Sequence, residues 1–276
     1  MARLNPATLV LSSALMLGMT ACSKAEEPKQ APSSTPTLSQ TPSTSPKPAV
    51  IRAIEAQGLE VLGEFEAPSG LRGFAGLAGG QQPVAVYATA DGQYAVVGTL
   101  VNAKGEDAGA EALQRLVAEP VSKRTWAQLE ASAWIADGKP DAPRVVYTFS
   151  DPNCPFCNRF WAAARPWVDS GKVQLRHVMV GVIRPDSANK AATIYTAASP
   201  SEALERNERA YATGGIKPAA TVPADVRQKL DGNEKLMVEL GFQGTPGILF
   251  RDEKGIVQRR SGMPAATDLP VVLGPR

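Results

Sequence analysis

The sequence predicts an α+β protein of two globular parts joined by a helix. Three observations carry this. β-rich runs bracket a turn at Asp91-Gly92, an apolar helical stripe recurs at Trp126 and Leu129, and strand and helix alternate from Arg144 onward. With 276 residues, 43% of them hydrophobic, the chain is long enough for one large or two ordinary domains, each with its own core.

The N-terminal stretch reads as an address. Arg3 precedes a mostly apolar run from Ala7 to Met19 and small residues around Ala21, the pattern of an export signal over residues 1–21. Met19-Thr20-Ala21-Cys22 resembles the lipobox of bacterial lipoproteins, with Met19 where Leu is usual, so Cys22 is expected to carry a lipid. An ordinary signal peptide is the competing reading. By the same resemblance Ser23 directs such a lipoprotein to the outer membrane. From Ser23 to Pro48 there are six Pro, six Ser and four Thr, a composition that cannot bury a core. Residues 22–48 therefore read as a disordered tether spanning roughly 30 Å as a flexible coil. No later stretch is apolar over the roughly 18 residues that a membrane helix needs.

The first globular part covers residues 49–119. Val50, Ile51 and Ile54 lie at helical spacing before Gly58. Strand-like runs follow at Leu59 to Phe65, Leu71 to Leu77, Val84 to Thr89 and Gln93 to Thr99, and Leu113, Leu116 and Val117 suggest a helix before Pro120. No acid–base pair, phosphate loop or ligand cluster occurs there, so the part reads as scaffold or interface. Thr125 to Gln128 resembles a capping box, and a connecting helix over 120–140 is expected to end at Asp137-Gly138-Lys139-Pro140.

The second part covers 141–276. A β run from Arg144 to Ser150 leads into Asp151-Pro152-Asn153-Cys154-Pro155-Phe156-Cys157, after which Phe156, Phe160 and Ala164 recur at helical spacing. Val173 to Val180 is the next strand. A mainly helical stretch over about 185–240 is broken at Ser199-Pro200, Gly214-Gly215, Pro218 to Pro223 and Asp231-Gly232. Gly247 to Arg251 and Gly255 to Arg260 read as a hairpin, and Ala265 to Leu273 as a terminal helix.

Composition excludes several chemistries. Lys plus Arg is 29 against 27 for Asp plus Glu, a net charge of +2 with no basic stripe, which argues against nucleic-acid binding. One histidine, His177, cannot build a multi-His metal site, and no acid or nucleophile motif adjoins it in sequence, which argues against a hydrolase triad. It lies in a strand between Leu175 and Val178 and reads as structural. No metal or other cofactor is expected. Asn158 after the second cysteine disfavours c-type haem attachment.

The three cysteines are Cys22, Cys154 and Cys157. A Cys-x-x-Cys pair after a strand and at a helix start points to redox chemistry. Unpaired N–H groups there stabilise a thiolate, so Cys154 is the expected nucleophile and Cys157, one turn on, the resolving thiol. Pro155 suits the first turn, where its missing N–H costs nothing. About 90 residues later, Gly244-Thr245-Pro246-Gly247 precedes a strand and resembles the cis-proline loop of the thioredoxin fold. That resemblance marks Thr245 and Pro246, with Pro155 and Phe156, as substrate-binding.

From about residue 50 to the C-terminus the chain resembles the periplasmic disulfide-isomerase family DsbC/DsbG. The match rests on Asp151-Pro-Asn-Cys-Pro-Phe-Cys, Phe160-Trp161, the run Ala164 to Arg176, Val180-Gly-Val-Ile-Arg-Pro185, Asn233 to Met237, Gly244-Thr-Pro246 and Gly262-Met-Pro264. The resemblance implies a cystatin-like dimerisation domain, a linker helix and a thioredoxin fold with an inserted helical subdomain, paired into a homodimer. It also implies partly folded or cysteine-oxidised secreted proteins as substrates, a membrane thiol reductant as partner, and isomerisation or sulfenic-acid reduction in the periplasm. The tether and lipobox depart from a freely diffusing member. A dithiol oxidase of the same fold, or a holdase chaperone indifferent to its cysteines, would share much of this pattern.

Overall fold

The computed structural model describes residues 46–276. The expected signal peptide, Cys22 and all but the end of the tether lie outside them. The last three tether residues belong to the body. Pro48 is buried, Lys47 pairs with Glu55 at 2.6 Å, and Arg72 donates to the Pro46 carbonyl.

Helix α1 (Ala49–Glu55) is followed by strands β1 (Leu59–Glu66), β2 (Arg72–Ala78), β3 (Gln82–Ala88) and β4 (Ala95–Val97), an antiparallel meander in that order. Both faces are covered. Phe74, Val86 and Ala88 pack with Ile51 of α1, while Phe65, Ala75, Leu77, Ala85 and Tyr87 face Ala112 and Val117. This alternation is the period-two pattern of a strand, with a helix on each side to bury it. A bulge between Val61 and Gly63 brings the Glu60 carbonyl within 2.3 Å of where a Cβ at Gly76 would stand, so only glycine fits there.

The connector differs from the sequence expectation. α2 (Ala110–Leu113) passes through a π-helical stretch (Gln114–Ala118) directly into α3 (Glu119–Ala131). Thr125 caps nothing; it is buried on the helix. Pro120 has no N–H to return to the preceding turn, and the wider π turn just before it absorbs that loss. The helix ends at Ala131 rather than near Pro140, because Trp134–Asp137 forms strand β5 of the second sheet. Nor is α3 a bare spacer: Trp126 and Leu129 enter the second core, with Trp126 edge-on to Tyr147 at 5.1 Å between ring centroids.

The second sheet runs β5-β7-β6-β8-β9, with β6 (Arg144–Ser150) and β7 (Val173–Met179) parallel and β8 (Gly247–Arg251) and β9 (Val257–Ser261) antiparallel. Helices α4 (Pro155–Asp169) and α8 (Leu269–Leu273) cover one face, and α3 and α7 (Ala224–Glu239) the other. Between β7 and β8, α5 (Ser187–Tyr195), α6 (Pro200–Arg209) and α7 form an inserted helical layer with its own core around Ala191, Ile194, Leu204 and Leu230. α7 runs unbroken through Asp231-Gly232, where a break was expected. One interior glycine costs about 1 kcal/mol, less than Leu230, Leu236 and Met237 return by burial on either side. The architecture is α+β with a thioredoxin fold.

Candidate active site

β6 and β7 lie parallel, so their C-terminal ends share one edge of the sheet. The chain leaves β6 through Asp151, Pro152 and Asn153, and Cys154 caps α4. Its Sγ accepts the Cys157 backbone N–H at 3.2 Å, filling one of the donors that a helix start leaves open. The Thr245–Pro246 peptide is cis, and the Thr245 carbonyl oxygen lies 3.4 Å from Cys154 Sγ, where it accepts from the thiol when that is protonated. Cys154, Cys157, Thr245 and Pro246 thus converge from two stretches far apart in sequence. Pro155 occupies the first helical turn, and Phe156 stands 47% exposed beside the nucleophile position with the Arg159 guanidinium 5.3 Å from its ring.

The two sulfurs are electrostatically unlike. The Cys157 side chain donates to the Cys154 sulfur, burial opposes, and the Thr245 side chain and the N–H groups of Cys157 and Phe156 add donors, so the Cys154 thiol is lowered to about 6. At neutral pH about nine-tenths of it is then thiolate. Burial pushes the Cys157 thiol up, and the neighbouring Cys154 sulfur pushes it further. The Thr245 hydroxyl is buried near the sulfurs, with no hydrogen-bond partner within ordinary distance among the described residues.

A polar scaffold that sequence reasoning missed holds this turn. The buried Asp151 carboxylate accepts from the N–H groups of Asn153, Val182 and Ile183 and from the Ser187 hydroxyl, at 2.7–2.9 Å. Asn207 donates to the Pro152 carbonyl, Tyr211 to that of Asn153, and Asn158 of α4 to Glu208 of α6. Burial raises the Glu208 carboxyl. The sequence signal was the Asp and Asn immediately before Cys154, short side chains suited to closing a turn.

His177 is buried on β7, and in space a serine and an acid flank its ring. Ser150 Oγ lies 3.2 Å from Nδ1 and Asp137 Oδ2 lies 3.4 Å from Nε2. Ser150 and His177 are both buried within β6 and β7, and their contacts with each other and with Asp137 tie the strands together. Burial alone would raise Asp137, yet the nearby His177 ring and the two-point pairing with Arg165 outweigh it and hold the carboxyl at about 2.

The chain is similar to several known proteins. A family model described as "Thioredoxin" matches residues 130–243. The thiol:disulfide interchange protein DsbG of Pseudomonas aeruginosa is 48% identical over 229 residues, 83% of this chain and 89% of the relative. DsbG of Escherichia coli is 40% identical over 231 residues, 82% of this chain and 91% of the relative. Among solved structures, the catalytic domain of Proteus mirabilis ScsC aligns with a TM-score of 0.46 at 20% identity, over 56% of this chain and 95% of that domain.

A thioredoxin fold with a Cys-Pro-Phe-Cys pair at a helix start, opposite a cis-proline, defines a thiol–disulfide oxidoreductase. Identity and coverage then narrow the class: this chain belongs to the DsbG family of thiol:disulfide interchange proteins.

Proposed function

We propose that the chain exchanges disulfides in secreted proteins with Cys154 as nucleophile and Cys157 as resolving thiol. The Cys154 thiolate attacks one sulfur of a client disulfide. That S–S bond breaks, a Cys154–client bond forms, and the other client sulfur leaves as a thiolate. If the freed thiolate attacks elsewhere in the client and a client thiolate later displaces Cys154, the result is isomerisation with no net electron transfer. If Cys157 loses its proton and attacks Cys154 Sγ, the client leaves reduced and the enzyme keeps a Cys154–Cys157 disulfide. Bonding of Cys154 to the client removes the negative charge that opposes Cys157 ionisation, so the second attack becomes easier once the first has occurred. With a client sulfenic acid, the same attack releases hydroxide, which takes a proton to become water. Either reduction requires two electrons to restore the dithiol, the role of a membrane thiol reductant.

The observation that carries the reading is the asymmetry of the pair: both thiols are buried, but the Cys154 sulfur caps α4, accepts the Cys157 N–H and is lowered to about 6, while the Cys157 thiol is pushed up. Phe156, Pro155, Thr245 and Pro246 would line the client groove. Trapping tests it. A Cys157→Ala variant accumulates mixed disulfides that dissolve on reduction and vanish when Cys154 is also replaced; no adducts would sink the assignment. The in-cell redox state separates isomerase or reductase, held reduced, from dithiol oxidase, held oxidised.

The domain roles belong to the same proposal: 49–119 for pairing of two copies, α3 as connector, and β5 together with 141–276 for catalysis. Support for pairing comes from β4, which has no strand on its outer side among the described residues and carries Val96 and Val97 exposed, with Tyr94 just before it and Val101 beyond it. The periplasm is the expected compartment, with a lipid on Cys22 and the Pro/Ser/Thr tether holding the enzyme at the outer membrane.

A further inference from the structure

Lys190 of α5 is 6% exposed, an unusual place for an ammonium, since burying one costs several kcal/mol unless it is well partnered. Its Nζ donates to Asn153 Oδ1 and to the Gly214 carbonyl, both at 2.7 Å, and the Asp186 carboxylate lies 3.9 Å away. Gly214 presents that carbonyl from a left-handed conformation (φ 100°) that closes the short 3₁₀ turn Tyr211–Thr213.

Asn153 immediately precedes Cys154, and its hydrogen-bonding groups are all engaged. Its N–H donates to Asp151, its carbonyl accepts from Tyr211, and Nδ2 donates to Asp186 Oδ1 at 2.9 Å and Ser187 Oγ at 3.0 Å. Only Oδ1 is left for the lysine. With a donor on that side, the amide has one orientation, and the residue carrying the nucleophile has one entry into the helix.

We propose that Lys190 is a positioning residue for Cys154, acting through the Asn153 amide to hold the sulfur against the Cys157 N–H and the Thr245 carbonyl. This rests on Cys154 being the nucleophile. Asp151, Cys157, Arg184, Asp186, Glu208 and Tyr211 are the other ionisable groups packed around this turn or coupled to it. All remain when Lys190 alone is changed.

The test uses the full chain in its reduced form, with Lys190→Met and Lys190→Arg, and follows iodoacetamide alkylation and thiolate absorbance against pH. For Lys190→Met the apparent pKa of Cys154 rises by about one unit, so alkylation near pH 6 slows by about fivefold while rates above about pH 9 match wild type. Lys190→Arg recovers most of that loss. A merely structural lysine would lower the melting temperature and leave the pH profile where it was, and that outcome overturns the proposal. Should Lys190→Met fail to fold, Asn153→Ser removes the held acceptor instead; an unshifted profile in that variant is equally fatal. If wild type itself titrates as an ordinary thiol, the nucleophile assignment fails first. If wild type titrates near 6 and Lys190→Met does too, only the role of Lys190 falls.

Discussion

Cys154 Sγ lies 3.4 Å from the carbonyl oxygen of Thr245, a residue 91 positions further along the chain. The contact joins the strand–helix junction to the cis-proline loop, and it leaves the buried Thr245 hydroxyl beside the sulfur pair. Thr245→Val removes that hydroxyl and little else. The apparent pKa of Cys154 should rise, slowing alkylation near pH 6 severalfold while leaving rates above about pH 9 unchanged. An unaltered thiolate titration would show that the hydroxyl takes no part.

Stability of the reduced protein should depend on pH through the same sulfur. Cys154 titrates at about 6 in the fold and near 8.5 in an unfolded chain, so unfolding takes up a proton between those values. Its contribution therefore grows with pH there, by at most about 1.4 kcal/mol per unit, and is lost as pH falls through about 6. Cys157 is shifted the other way and opposes this only above its unfolded value, where the unfolded chain ionises first. Urea midpoints of wild type and Cys154→Ser should diverge from pH 6 to 8. Parallel curves would contradict the lowered titration.

Away from the cysteines, Asp137 of β5 forms a two-point ion pair with Arg165 of α4, whose guanidinium also stacks over Trp161 at 4.3 Å. Asp137→Asn leaves the mostly buried Arg165 with only the exposed Asp169 carboxylate, 3.6 Å away, and should cost about 3 kcal/mol in denaturant unfolding. Because the Asp137 carboxyl is lowered to about 2, its contribution is complete above the unfolded value near 4 and disappears as pH falls through about 2.

Gly247 follows the cis-proline directly, and a Cβ there would stand 2.8 Å from the Phe242 ring, itself packed on Phe149. Gly247→Ala should lower stability by about 1–3 kcal/mol through overpacking, read as a fall in melting temperature. Exchange activity should fall with it, since Pro246 shares the displaced backbone.

For the N-terminal sheet, Val96→Lys places a charge on the outward edge at β4, where the side chain is exposed and apolar. If two copies meet along that edge, sedimentation should shift from dimer toward monomer with the thiol titration unchanged.

What could be read without coordinates was local. The Cys154 to Cys157 spacing, the β run before it and the helical recurrence of Phe160 and Ala164 after it all fall within about twenty residues. Side-chain periodicity and helix-end chemistry decide structure over that distance. The Thr245-Pro246 turn was legible only through its resemblance to a thioredoxin loop. Boundaries set by competition were misjudged. Trp134–Asp137 looked like the tail of a helix, but pairing with β7 outweighs helical continuation, and no local pattern announces a partner about 40 residues away. The same holds for Pro120, tolerated because the π turn before it and the burial of Trp126 after it compensate.

By itself, then, the sequence determined that a thiolate would sit at a helix N-terminus and that a second thiol would stand one turn behind it. Only the tertiary structure decided what surrounds that pair. Thr245, Lys190, Ser187 and Glu208 arrive from distant segments, and Asp137 finds His177 and Arg165 across three secondary-structure elements. Charge and hydrogen-bond energies depend on distance and burial in space, quantities that sequence separation does not encode.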